Sequence, residues 1–284
     1  MNLFLLTALA MVAFAANSIL NRVGLSGGDI GPAGFALIRL ASGAVVLLAL
    51  LRAQGRNRRP PRPTPNIATV AALTAYIVGF SFAYVSLDAG VGALLLFGGV
   101  QLTMFLGAFW SGQTIAARRW LGMAISLGGL CVLVWPTGVV QMPLGAVALM
   151  LGAALGWGIY SLIGTRVSDP LAATAWNFAY ALPLAAILCL PFVGGEPLAM
   201  QGVITASVSG ALTSGLGYAL WYRLLPQLGA TTAALAQLSV PVIALGAGIA
   251  LLGEPLTPRA VIACALVCGG IAFALRASSA SKRD

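Results

Sequence analysis

The polar residues within the apolar stretches of this chain limit the chemistry that it can perform. The sequence contains no histidine, and no Asp, Glu or Lys falls in the middle of an apolar stretch. Histidine and buried acids are the groups that usually relay protons or hold cations within a membrane. A Ser-His-Asp set is therefore absent, and no phosphate-binding loop of the Gly-Lys-Thr kind occurs. We expect no enzyme activity, no cofactor and no metal centre.

Neutral polar and aromatic residues recur at helical spacing in four stretches. The residues that share a face in each stretch are Phe14, Asn17, Ser18 and Asn21; Tyr76, Phe80, Tyr84 and Asp88; Trp157, Tyr160, Ser161 and Thr165; and Ser214, Tyr218 and Trp221. Polar side chains are costly in contact with lipid, so these faces are expected to point towards protein or a wet cavity. They could form hydrogen bonds between helices or line a substrate cavity.

Two glutamines and one proline extend this set of candidates. Gln237 and Pro241 lie one helical turn apart, and Gln101 is expected at a corresponding depth in an earlier stretch. The glutamines could contact substrate. Because proline removes a backbone N–H, Pro241 permits a bend that could serve gating or packing.

Arg39 is the one charge clearly inside an apolar stretch, about seven residues or roughly 10 Å from its outer end at a rise of about 1.5 Å per residue. It could extend to the outer surface, as long basic side chains do near helix ends. Alternatively, it attracts a substrate carboxylate, or pairs with Asp88 or Glu254 as an outer gate. Glu254 lies in a Gly-Glu-Pro sequence and is expected to cap a helix or to support a gate.

Composition identifies lipid as the main solvent of the chain. Of its 284 residues, 60% are hydrophobic and 7% are charged, and the mean hydropathy is +0.99. So few charges could not cover the surface of a soluble protein of this size. The net charge of +9 does not indicate nucleic-acid binding, because the basic residues cluster between apolar stretches. The four cysteines lie within apolar stretches, where they are expected to be small buried residues.

The apolar stretches predict ten transmembrane helices, each of about 20 residues. They cover residues 2–22, 32–52, 67–87, 90–110, 118–135, 143–165, 171–193, 202–222, 229–252 and 258–276. With both termini in the cytoplasm, twelve of the fifteen basic residues fall on the cytoplasmic side, and Arg22 and Arg259 fall outside. This distribution follows the positive-inside rule. Four tryptophans at predicted helix ends are expected to be interfacial anchors: Trp110, Trp120, Trp135 and Trp221.

The two halves of the sequence resemble each other. Gly112-Gln113 with Gly128-Gly129 matches Gly253-Glu254 with Gly269-Gly270 at a constant offset of 141 residues. Asn21-Arg22-Val23 matches Thr165-Arg166-Val167 at an offset of 144. Five helices per half would place the halves, residues 1–138 and 139–284, in opposite orientations, with a substrate site between them. Gly152-x-x-x-Gly156 in the sixth helix predicts close helix packing.

These features resemble the drug/metabolite transporter superfamily in its ten-helix EamA form. The resemblance rests on Ala36-Leu37-Ile38-Arg39-Leu40, on Gly229 to Leu235, on Pro241 and on the Leu-Leu-Gly-Glu of 251–254. In the first half, Val100 and Gln113 replace the proline and glutamate of the family pattern. Within the family the chain resembles YddG-type exporters of aromatic and other neutral amino acids. The resemblance implies export by alternating access through a cavity lined by both halves.

The sequence thus predicts a multi-pass protein of a bacterial inner membrane that exports small metabolites, amino acids such as Trp, Met and Thr first among them. Its partners would be these substrates and membrane lipids, with no nucleic acid, and it would be a monomer or a weak homodimer. Efflux of drugs or other metabolites is the alternative within transport, and a membrane scaffold is the alternative outside it. Export could be a facilitated process or could be coupled to protons through Asp88 or Glu254.

Overall fold

The computed structural model describes residues 2–54, 66–110, 117–135, 143–164 and 167–280. Over these ranges the regular secondary structure is helical. The helices are α1 (Leu3–Ser26), α2 (Pro32–Ala53), α3 (Ile67–Ala83), α4 (Ala89–Trp110), α5 (Ala117–Val134), α6 (Leu144–Gly164), α7 (Pro170–Cys189), α8 (Met200–Val208), a π-helical segment (Ser209–Leu216), α9 (Gly217–Gln237), α10 (Ser239–Leu252) and α11 (Pro258–Ala280).

Local sequence determines several of the helix ends. The side chains of Asn2, Asn66 and Asp169 accept hydrogen bonds from backbone N–H groups in the first turns of α1, α3 and α7. These caps satisfy donors that have no partner within the helix. α10 ends at Gly253, whose φ of 67° lies in the left-handed region that glycine adopts without steric cost.

The helices are long and apolar enough to form a multi-pass membrane protein. Six described helices have the length and hydropathy of complete membrane spans, with α8, the π segment and the start of α9 counted as one. Four shorter apolar helices, α3, α10 and the described cores of α5 and α11, bring the number to ten. Large apolar side chains are exposed on many helices, among them Phe4, Val45, Leu144, Ile187 and Leu251. The all-helical membrane fold predicted from composition is therefore confirmed.

Three details differ from the sequence predictions. The break expected between residues 222 and 229 occurs at Leu238, because the alanine-rich segment before it continues α9. Trp221 is fully buried and is not an interfacial anchor, whereas Trp120 and Trp135 are exposed. Cys131 is also exposed, where a buried residue was expected.

Glycines allow the closest helix contacts, but only one member of the predicted pair, Gly152 and Gly156, does so. A Cβ atom at Gly156 would lie 2.5 Å from the Ala72 carbonyl oxygen of α3, whereas one at Gly152 would meet nothing within 4 Å. The same holds for Gly129 and Gly128 on α5. Of these two glycines of α6, only Gly156 therefore lies against α3, which corrects the prediction for Gly152.

Candidate functional site

A buried arginine occupies the middle of the bundle. Arg39 of α2 is completely buried, and its guanidinium donates hydrogen bonds to Ser214 Oγ at 2.7 Å, Tyr218 OH at 2.7 Å and Tyr76 OH at 3.1 Å. The two tyrosine hydroxyls are themselves 2.7 Å apart. The guanidinium also lies over the rings of Tyr76 and Phe80, 5.4 and 5.0 Å from their centroids. Arg39 thus connects α2 to α3, the π segment and α9.

Asn17 of α1 forms the second half of this polar network. Its amide oxygen accepts hydrogen bonds from the hydroxyls of Ser209, Thr213 and Ser214. Its amide nitrogen lies 3.5 Å from the Tyr218 hydroxyl. Because Ser214 also accepts a hydrogen bond from Arg39, one hydroxyl bridges the amide of α1 and the guanidinium of α2. One turn further along α1, Asn21 donates to the Asn17 carbonyl and accepts from Ser81.

The π-helical segment brings these hydroxyls together. A π-helix has hydrogen bonds from residue i to i+5, and single π turns are frequent at functional sites. The wider turn places Ser209, Thr213 and Ser214 around the same amide oxygen. Gly210 of this segment lies directly against the Arg39 carbonyl and Ser42, where any side chain would collide. The small residue therefore allows α2 to approach closely enough for Arg39 to reach Ser214.

A group of buried aromatic rings adjoins the polar network. We define the aromatic cluster as Phe14, Tyr76, Phe80, Phe97, Trp157, Tyr160, Tyr218, Trp221 and Tyr222. Phe14 contacts the rings of Trp157, Tyr218 and Trp221 at centroid distances of 5.5 to 5.7 Å. The ring centroid of Trp157 lies 4.9 Å from that of Tyr76 and 4.6 Å from that of Tyr218. Every member is buried, so in this structure the rings pack against one another.

Several buried polar atoms near these residues lack a partner among the described residues. They include Arg39 Nη1, Gln101 Nε2, Trp157 Nε1, Ser161 Oγ, Trp221 Nε1 and Gln237 Oε1. Buried polar groups are nearly always hydrogen-bonded, and such exceptions often mark sites for water or ligands. No hydrogen bond in the described part of the protein links Gln101 or Gln237 to the Arg39 network. Thr165 lies outside the described residues.

The structure corrects two of the three expectations for Arg39. It neither reaches the surface nor pairs with Asp88 or Glu254, because it is held in the interior by two tyrosines and a serine. The sequence prediction also missed Ser209 and Thr213, whose convergence depends on the π turn. The spacing of three residues placed Trp221 on the same helix face as Tyr218. Its position near a predicted helix end favoured the anchor interpretation instead.

Two glutamates hold helix starts at one end of the bundle. Glu254, between α10 and α11, accepts hydrogen bonds from the backbone N–H groups of Ala89 and Gly90 at the start of α4. Glu196, between α7 and α8, accepts from those of Ala33 and Gly34 at the start of α2. Carboxylates are stabilised there by unpaired N–H groups and the helix dipole. We call these two contacts the carboxylate clasps.

Further polar contacts surround the clasps. The guanidinium of Arg22, near the end of α1, forms ion pairs with two carboxylates. Its Nη2 lies 3.4 Å from Asp88 Oδ1, and its Nε lies 3.8 Å from Glu254 Oε1. The loop before α2 pairs with the loop before α8 through an isolated bridge between Ile30 and Leu198. Pro241 is buried in α10 and lines a small pocket together with Gly90 and Leu245. The clasp end is therefore closed by contacts between loops and helix starts that are distant in sequence.

The Glu254 clasp should depend on pH. Burial raises the pKa of Glu254 above its ordinary value of 4.5, and the Asp88 carboxylate adds to this, whereas the backbone N–H groups and Arg22 oppose it. The folded protein therefore binds this proton more tightly than the unfolded chain, and the resulting stability is lost as pH rises through the raised pKa. As pH falls towards 4.5, we expect the melting temperature of the wild type to rise relative to Glu254→Gln. Thermal unfolding in detergent measures this, and a constant difference across pH would contradict it.

Comparison with known proteins places this architecture in a family. The model of the EamA-like transporter family matches residues 2–135 and, separately, residues 144–276. The chain belongs to the EamA-like transporter family. A relative, an uncharacterized protein of Pseudomonas aeruginosa, is 49% identical over 271 residues, which cover 95% of this chain and 93% of the relative.

Two further comparisons concern a relative with a functional name and a solved structure. A protein of Streptantibioticus cattleyicolor named as a probable terminal-alkyne amino-acid exporter is 27% identical, with 97% of this chain and 94% of the relative aligned. A crystal structure superposes with a TM-score of 0.69 at 19% identity, covering 95% of this chain and 97% of the other. That structural likeness concerns the fold alone.

Proposed function

We propose that this EamA-like transporter exports amino acids, aromatic ones and other neutral ones such as Met and Thr, across a bacterial inner membrane. The observation that carries the proposal is the joining of the Arg39–Asn17 polar network to the aromatic cluster through Tyr76 and Tyr218. Such a site offers hydrogen bonds to the polar end of an amino acid and ring surfaces to its side chain. The name of the Streptantibioticus cattleyicolor relative supports the same substrate class.

Two inverted halves, residues 1–138 and 139–284, form the transporter in this proposal, with both termini in the cytoplasm. The pairing of the ten spans supports it. Counted as spans, α8 with the π segment and the start of α9 is the eighth, α10 the ninth and α11 the tenth. The second span packs on the seventh, the fourth on the ninth and the fifth on the tenth. The contact between the third and sixth spans has its counterpart in the contact between the first and eighth. Exchanging each span with the one five places away leaves this pattern unchanged, as a two-fold relation requires.

Alternating access would open and close this site from the two sides of the membrane. In this structure the cluster is buried and both carboxylate clasps are formed, which fits a state closed at the clasp end. Release to the outside would require the clasps, together with the Arg22–Asp88 pair, to separate. Pro241 and Leu245 of α10 lie beside Gly90, so movement of α10 would shift the start of α4 at the same time.

Efflux of drugs or other metabolites is the second candidate. The buried positive charge of Arg39 argues against cationic drugs, because a cation would be repelled in a site of low dielectric constant. Neutral and anionic metabolites remain compatible with the site. The second candidate function is therefore efflux of neutral or anionic compounds.

Replacing Trp157 or Tyr160 with leucine should reduce transport while the protein still inserts into the membrane. Both rings belong to the aromatic cluster and stack on each other at 5.7 Å, so the substitutions remove ring surface that the substrate would contact. Flux of labelled phenylalanine in proteoliposomes, normalised to inserted protein, measures the effect. Leu155→Ala on the exposed face of α6 serves as the control, and normal flux in both variants would remove α6 from the site.

A further inference from the structure

Arg39 is a buried cation without an anionic partner among the described residues. The sequence has six acidic residues, of which five are described by the structure. Glu196 and Glu254 hold helix starts, Asp88 pairs with Arg22, and Asp169 caps α7. Asp29 lies in the loop before α2. None of these five forms an ion pair with Arg39, although buried charges are normally paired because an unpaired buried charge is costly.

The neutral partners of Arg39 leave part of its guanidinium unused. Nε donates to Ser214, and Nη2 donates to both Tyr76 and Tyr218, but Nη1 has no hydrogen-bond partner in the part of the chain that the structure describes. Arginine remains charged even when it is buried. The rings of Tyr76 and Phe80 offset part of the cost through cation–π contact. They do not neutralise the charge, and they do not satisfy the remaining donor.

The surroundings of Arg39 fit a ligand with one anionic end and one apolar end. Tyr76 and Tyr218 contact the guanidinium through their hydroxyls and Trp157 through their rings. A molecule whose carboxylate met the guanidinium would therefore place its side chain against the aromatic cluster. Guanidinium groups bind carboxylates with paired, charge-assisted hydrogen bonds.

We propose that Arg39 binds the carboxylate of the transported substrate, so that a carboxylate is required for recognition and an amino group is not. This inference rests on the proposed function and specifies its substrate class as amino acids and other apolar carboxylates. Amines and amides with the same side chain do not belong to this substrate class, because they would leave the buried guanidinium without an anion.

Ligand binding by the purified wild-type protein tests the inference without a variant. The probes are phenylalanine, 3-phenylpropionate, phenethylamine and phenylalaninamide, which share one ring and differ at the polar end. Ligands that bind the folded protein raise its melting temperature in detergent. We expect both carboxylates to bind about tenfold to hundredfold more tightly than the amine and the amide. Equal stabilisation by phenethylamine, or stabilisation by none of the four, would overturn the inference.

Two variants and a control separate recognition from a structural role of Arg39. Arg39→Lys should keep the preference for carboxylates, whereas Arg39→Gln should lose it while still binding through the ring. Arg22→Gln removes a positive charge at the clasp end and should leave the preference unchanged. If Arg39→Gln fails to fold, the comparison of wild type with Arg39→Lys remains decisive, since loss of the preference in Arg39→Lys would contradict a role of the charge.

Flux assays distinguish this inference from the proposed function. Carboxylate-selective binding without transport of phenylalanine would contradict export of aromatic amino acids and leave the role of Arg39 standing. Transport of phenylalanine that phenethylamine inhibits as strongly as 3-phenylpropionate would contradict the role of Arg39 and leave export standing.

Discussion

Replacing Tyr218 with phenylalanine is expected to lower transport about tenfold to hundredfold, the effect of losing a hydrogen bond to a charged group. The Tyr218 hydroxyl contacts Arg39, Tyr76 and Asn17 at 2.7, 2.7 and 3.5 Å. No other described side chain joins the two halves of the polar network to the aromatic cluster in this way. Initial rates of labelled phenylalanine flux in proteoliposomes, normalised to inserted protein, measure the loss.

Tyr222→Phe is the matched control for this prediction. Tyr222 is buried on the same helix, one turn after Tyr218, and its hydroxyl donates to the Tyr160 carbonyl at 3.0 Å. Its removal costs one neutral hydrogen bond and leaves the Arg39 network intact. Equal losses in the two variants would mean that the Tyr218 hydroxyl contributes only to packing.

Gly156→Leu is expected to destabilise the protein by about 3 kcal/mol or more, at the upper end of the cost of overpacking. The new side chain would begin within 2.5 Å of the Ala72 carbonyl oxygen and 2.9 Å of the Tyr76 backbone nitrogen. These are backbone atoms of α3, which cannot turn away as a side chain could. Since Tyr76 belongs to the site, separation of α6 from α3 should also disrupt the aromatic cluster.

Gly152→Leu on the same helix provides the comparison. A Cβ atom there meets nothing within 4 Å, so we expect a change within about 0.5 kcal/mol. Thermal unfolding of the two variants in detergent measures the difference. Similar melting temperatures for both would contradict the close α3–α6 contact.

Much of the fold and part of the site follow from the sequence because both depend on helical periodicity. Runs of apolar residues of membrane length predict the helices, and the cost of polar groups in lipid predicts which faces turn inwards. The faces that contain Asn17, Tyr76, Trp157 and Tyr218 do meet in the structure. Whether these residues contact substrate remains a prediction.

The remaining features depend on contacts that periodicity does not encode. The π segment shifts the register of the serines, so a regular spacing of 3.6 residues does not predict that Ser209 and Thr213 meet Asn17. The partners of Arg39 and Arg22 depend on how deeply each helix is inserted. Similarly, Gly152 and Gly156 are equivalent in sequence, and only the position of α3 separates them.

Efflux of labelled phenylalanine from liposomes that contain the purified protein tests the central claim most directly. The measurement is made with and without a pH gradient, and empty liposomes give the background. We predict saturable efflux in the absence of a gradient, since no carboxylic acid lies within the described aromatic cluster or its polar network. Efflux no faster than from empty liposomes in either condition would contradict export of aromatic amino acids and leave other neutral or anionic metabolites as candidate substrates.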